Sequence, residues 1–236
     1  MRENYQEFLS RIHVFEKRNL DLGKSYFKGR PSLAHKIDEN NKLKSFFGDT
    51  VVFELDDHTK ERINNIFFKI YNLVPECFSE RLDPKTLHMT LHDLSNSPDR
   101  DSIACDMESN FNRIQLTTDS IKKEKIKMRT SFIFNMVNTS LVLGLVPEDE
   151  YEFNKLMRLY YIIDNIKQAE YPLTPHITLS YYNINGFSEE AKNKLEDIVF
   201  QLNNISEEVI LDTDRLFYQR FYSMNEYHNI LKLTNT

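Results

Sequence analysis

The chain has 236 residues, 40% of them hydrophobic and 12% aromatic, enough to bury a substantial core in one large domain or two small ones. Its net charge of −6 and pI near 5.7 disfavour extended binding to long nucleic acid duplexes, whose affinity comes from neutralising many phosphates; a small nucleotide or an RNA 3′ end needs only a local positive pocket. The five glycines form no G-x-G-x-x-G, P-loop or G-x-S-x-G, and Cys77 and Cys105 form no C-x-x-C, so dinucleotide, P-loop, zinc-knuckle and disulfide readings all lose their basis.

The amino terminus is charged and has no apolar h-region, and no apolar run approaches bilayer length, which predicts a cytoplasmic chain that makes no membrane contact. Tyr5, Phe8, Leu9, Ile12 and Phe15 recur at helical spacing over residues 4–20. A polar stretch broken by Gly23, Gly29, Pro31 and Gly48 follows, so residues 1–49 read as an extension, an amphipathic helix plus an irregular leader, ahead of a domain over 50–236.

Within that domain Thr50–Leu55 is β-rich. Residues 56–74 then carry an Asp cap and a helical stripe of Ile63, Ile66, Phe67 and Ile70. "TLHMTLHDL" reads as a strand, Asp99–Arg113 as helical, and residues 126–147 as two strands turned at Asn138 and Thr139. "EDEYEFNKLMRLYYIIDNIKQA" is the clearest helix, with acidic residues in its first turn. "LTPHITLSYY" is a strand, a helix starts from Ser188 as N-cap, and two or three strands end the chain. The order suggests two similar α+β halves, each with one motif strand.

Those strands carry "HMTL" from His88 and "HITL" from His176. Side chains at i and i+2 leave one face of a strand about 6.8 Å apart, so each H-x-T projects an imidazole and a hydroxyl together. Strict alternation places His88, Thr90 and His92 on one face, and His176, Thr178 and Ser180 on one face of the other strand. Chance gives about 0.4 H-x-T triplets in such a composition, so two in apolar strands, each followed by Leu, form a specific signal. Two imidazoles at one site suit reaction at phosphorus: a neutral ring takes a proton from the attacking oxygen while a protonated ring gives one to the leaving oxygen. The threonine hydroxyls can donate to nonbridging phosphate oxygens, and this chemistry needs neither metal nor cofactor.

The two motifs, set in a strand-helix duplicate spanning roughly Thr50 to Thr236, resemble the signature of the 2H phosphoesterase superfamily. "KIDENNKLKSFFGDTVVFEL" ahead of the first motif resembles a poorly characterised bacterial and fungal branch of it. The resemblance implies an α+β, bilobal fold: two pseudo-symmetric lobes of antiparallel sheet, helices outside, a central cleft between. It also implies phosphodiesterase activity on 2′,3′-cyclic phosphates, 2′–5′ linkages or related cyclic nucleotides, with His88 and His176 as the acid/base pair and Thr90 and Thr178 as phosphate-orienting hydroxyls. Some relatives are called RNA ligases because the chemistry runs in reverse.

Around this pair stand weaker candidates for substrate contact. His92 follows the first motif on its alternation face or is a solvated strand-end histidine; a zinc site with His88 would need helical i, i+4 spacing and a glutamate. Tyr182 follows the His176 face and offers base stacking or plain packing. Arg220 is a phosphate partner or a surface arginine, and Lys125, Lys127 and Arg129 alternate along a strand as an RNA guide or as edge protection. The alternatives to a phosphodiesterase are a nucleotide-sensing module that binds without turnover, with the leader helix engaging a protein partner of unknown kind, and a zinc hydrolase.

Overall fold

The computed structural model describes residues 3–17, 20–203 and 206–234. Five helices form where apolar stripes and caps coincide: α1 (Tyr5–Lys17), α2 (Asp57–Leu73), α3 (Ala104–Gln115), α4 (Glu150–Asp164) and α5 (Glu189–Leu202). Asp56, Asp149 and Ser188 cap α2, α4 and α5 by accepting the amide of the residue three positions on, which satisfies one otherwise orphaned N–H. On α2 the stripe Ile63, Phe67 and Ile70 is buried. On α4 the buried row runs through Phe153, Leu156, Met157, Tyr160 and Ile163.

The strands are β1 (Phe47–Glu54), β2 (His88–Ser97), β3 (Lys125–Met136), β4 (Ser140–Pro147), β5 (His176–Tyr181), β6 (Glu208–Asp212), β7 (Leu216–Ser223) and β8 (Glu226–Lys232). They make one antiparallel sheet in the order β6-β3-β4-β5-β2-β1-β7-β8. The sheet is curled: β6 and β1 touch although four strands separate them in that order. The pair Met89↔Ile177 joins β5 to β2, so the two motif strands are the central neighbours of the sheet. The β3–β4 hairpin turns over Val137, Asn138 and Thr139, the first two at positive φ, and so takes in the Asn138 and Thr139 that the sequence suggests.

β1 begins at Phe47, and the chain before it packs into the same core. Leu20, Leu22, Phe27, Leu33, Ile37 and Phe46 are all buried there, and Phe27 bridges to Phe187 with their rings stacked at 4.5 Å. On α1, Phe8 is fully buried against Phe153 of α4, their rings 5.2 Å apart.

Candidate functional site

Met89 and Ile177 are paired and fully buried, on the face of the sheet that meets α3 and α4. Their neighbours His88, Thr90, His176 and Thr178 therefore emerge together on the opposite face, all half-buried. Antiparallel registration about Met89↔Ile177 sets His88 against Thr178 and Thr90 against His176, which makes the two histidines diagonal neighbours with Cβ atoms on the order of 7–8 Å apart. The two rings are close enough that a positive charge on His176 lowers the pKa of His88.

The rings are anchored alike. His88 Nδ1 lies 2.6 Å from the Thr86 carbonyl oxygen, and His176 Nδ1 lies 2.7 Å from that of Thr174. A carbonyl only accepts, so both Nδ1 atoms carry hydrogen and both rings keep Nε2 as the nitrogen that exchanges a proton. Neither Nε2, nor the hydroxyl of Thr90 or Thr178, has a hydrogen-bond partner among the described residues. Burial pushes both histidines below the ordinary imidazole value, while the carbonyl bonds and the carboxylate of Asp93 push back upward on both.

Both strands then break the alternation on which the sequence reading of their ends rests. Thr90 pairs with Val52 and His92 with Val51, so Leu91 is an extra residue opposite β1; Thr178 pairs with Val142 and Ser180 with Leu141, so Leu179 is an extra residue opposite β4. Such a bulge inverts the face of the side chains that follow it, on β2 until a second bulge at Leu94. His92 is thereby turned away from His88: its side chain is fully buried, its ring lies 5.2 Å from that of Tyr160 on α4, and its nitrogens face the Asp93 carbonyl at 2.6 Å and Asp164 at 3.0 Å. Tyr182 is likewise turned into the core among Phe27, Phe78 and Phe187, where no solvent-borne base can stack on it.

Arg220 pairs in register with Asp49 and engages α3, bonding Glu108 at 3.2 Å and lying 5.8 Å from the Phe111 ring. It is held away from the two histidines. Lys125 and Lys127 reach Asp212 and Glu148, at 3.8 Å each, on strands distant from the motif pair.

What the bulges turn toward the histidines is Asp93 and Tyr181. Asp93 is exposed, accepts the Tyr171 hydroxyl at 2.9 Å, and acts electrostatically on both imidazoles. The Tyr181 hydroxyl meets Met224 Sδ at 2.9 Å and Lys36 Nζ at 3.5 Å. Tyr227 of β8 sets its ring 4.9 Å from that of His88, and burial pushes its phenol pKa upward. Beside His88 lies a cavity of about 270 Å³ bordered by Glu54, Thr86, Gln219 and Tyr227. This is smaller than the roughly 300 Å³ floor of whole-ligand pockets and suits one portion of a substrate.

Among the described residues no three His, Cys, Asp or Glu side chains gather as a metal set, and no helix is long and apolar enough to cross a membrane. No protein-family model and no curated protein matches the sequence. Among solved structures, a conserved protein of unknown function from Agrobacterium tumefaciens, ATU0111, has the same fold: the TM-score is 0.65 at 13% identity, over 93% of this chain and 98% of that one. LigT of Escherichia coli complexed with 3′-AMP superimposes more loosely, with TM-score 0.48 at 14% identity over 79% of this chain and 96% of its own. A protein described as a phosphoesterase gives 0.48 at 15% identity over 78% and 96%.

Proposed function

We propose that this chain is a 2H-type phosphodiesterase that opens a ribose cyclic phosphodiester, or cleaves a 2′–5′ linkage, without a metal. The observation that carries the reading is the placement of two identically anchored imidazoles and two unpartnered threonine hydroxyls on one face of adjacent strands. One Nε2 takes the proton of the attacking water or hydroxyl, and the other, protonated, gives its proton to the departing ribose oxygen. Thr90 and Thr178 donate to the nonbridging oxygens as negative charge builds on them. In this reading the β2–β5 seam is the floor of a cleft, with four strands of the sheet rising on either side as pseudo-symmetric lobes.

Depressed histidine pKa values favour a bell-shaped profile centred on the acidic side of the ordinary imidazole value. The test is turnover of 2′,3′-cyclic nucleotides, 2′–5′ oligoadenylate and ADP-ribose cyclic phosphate in EDTA, with product mapping. Activity that survives the chelator and disappears in both His88→Ala and His176→Ala supports the proposal. Activity equal to wild type in either variant, or dependent on added metal, refutes it, and tight nucleotide binding without product assigns the site to a sensing module instead.

A further inference from the structure

The segment ahead of β1 contributes a lysine to the face that carries the histidines. Lys36 follows a 3-10 turn over Pro31–His35 whose Leu33 is buried, and its own neighbour Ile37 is buried and bridged to Leu43. The backbone is tied on both sides: the Lys36 carbonyl accepts from the Lys44 amide at 2.8 Å, the Glu80 amide donates to Asn41 at 2.7 Å, and the Phe46 amide donates to Tyr222 at 3.0 Å. Asn41 takes the positive φ that closes the loop between them. Lys36 is therefore delivered by a fixed loop.

Its ammonium differs from those of Lys44, Lys60, Lys167 and Lys192, which among the described residues also lack a carboxylate within 4 Å but each donate to a neutral oxygen at 2.8 or 2.9 Å. No carboxylate stands within that distance of Lys36 among the described residues; its Nζ lies 5.2 Å from the centre of the Phe46 ring and 5.1 Å from that of Tyr181. Aromatic faces hold a cation without neutralising it. An ammonium has three donors, and among the described residues its one polar contact is the long one to the Tyr181 hydroxyl at 3.5 Å. Tyr181 is the residue that the Leu179 bulge turns onto the face of His176 and Thr178, and the charge of Lys36 reaches His176.

We propose that Lys36 is the anion-binding cation of this site, pairing with the phosphate held over the His176–Thr178 side, so that the leader is part of the binding site. The inference rests on the phosphodiester reading for its substrate, while its anion-binding core stands on the placement of Lys36 alone. A compact ammonium without a counter-ion, held on Tyr181 and acting on His176, selects a phosphate group over a neutral ligand. The leader thereby adds a positive charge on the His176 side, as Lys60 does toward His88, when the histidines themselves are neutral.

The experiment uses the full chain and inorganic phosphate as the probe, with Lys36→Met, Lys36→Gln and Lys36→Arg compared with wild type by calorimetry, and the His176 imidazole followed by NMR titration. Expected are at least about tenfold weaker phosphate binding in Lys36→Met and Lys36→Gln, substantial recovery in Lys36→Arg, and a rise in the His176 pKa in the phosphate-free Met variant as a like charge is removed. On a cyclic nucleotide that is turned over, KM rises about tenfold or more in the Met variant. Lys44→Met, which removes a leader lysine bonded to the Ala34 carbonyl, leaves phosphate affinity unchanged. Wild-type phosphate affinity and an unmoved His176 titration in folded Lys36→Met overturn the assignment, whatever the enzyme assays give. Lys36-dependent phosphate binding in a protein that turns over no phosphodiester leaves this inference standing and removes the catalytic one.

Discussion

Strands β2 and β5 begin alike and end differently. Each opens on H-x-T-L, each anchors its imidazole to the carbonyl two residues back, and each bulges at the leucine that follows the threonine. Past the bulge β2 buries His92 on Asp164 and exposes Asp93, whereas β5 buries Ser180 and sets the buried ring of Tyr181 beneath the Lys36 ammonium. The shared stretch sets which atoms exchange protons; around them the Asp93 carboxylate raises both imidazole pKa values, while Lys60 lowers that of His88 and Lys36 that of His176. Two strands of one design thus give the two imidazoles closely similar surroundings, so which one serves as acid and which as base falls to the way the substrate lies.

The equal stretch is broken most severely by removing a ring. His88→Ala and His176→Ala are each expected to lower turnover of a cyclic phosphodiester about 10²–10⁴-fold, with circular dichroism unchanged. Thr90→Val and Thr178→Val should each lower it about 10²-fold, since one donor to the developing charge is lost on either strand. A large effect on one strand only would show that the two motifs are not equivalent in use.

The divergent stretch is sharpened by Asp93→Asn. The carboxylate favours the imidazolium of both histidines, so removing its charge lowers both pKa values further, and both limbs of the kcat/KM profile move to lower pH. Tyr181→Phe should leave the limbs in place. A profile of Asp93→Asn that coincides with wild type would remove Asp93 from the electrostatics of the site.

Smaller effects fall on stability. His92→Ala removes the imidazole from Asp164, which keeps the Ala169 amide, and empties the space beside Tyr160, so urea unfolding is expected to show a loss of about 2 kcal/mol, tempered by the partial exposure of Asp164; Ser180→Ala should cost less than about 1 kcal/mol. Tyr182→Phe removes a buried hydroxyl that has no partner among the described residues, so stability should hold or rise by about 1 kcal/mol, and turnover should not change.

The helices, the strands and the two H-x-T motifs were legible because each rests on local pattern: caps at Asp56 and Ser188, stripes on α2 and α4, and a histidine-threonine repeat in apolar runs. The ends of the motif strands were not, because a bulge changes parity without changing composition. One trace of it was visible in β2, where the buried apolar positions step from Met89 and Leu91 to Leu94 and leave Asp93 where alternation asks for an apolar side chain. β5 offers no such trace, since both Tyr181 and Tyr182 satisfy either face. Lys36 was hidden for another reason: its partner Tyr181 is 145 residues away, and no local pattern in a polar leader reports so distant a contact.

The claim on which the rest depends is that His88 and His176 act on one phosphorus as a unit. It is tested most directly by kcat/KM for the two single alanine variants and for the double variant, on one cyclic phosphodiester in EDTA. Groups that act together are non-additive, so the double variant is expected to be no more than a few-fold slower than the slower single one. Losses that multiply across the two positions, or a single variant as active as wild type, would contradict it.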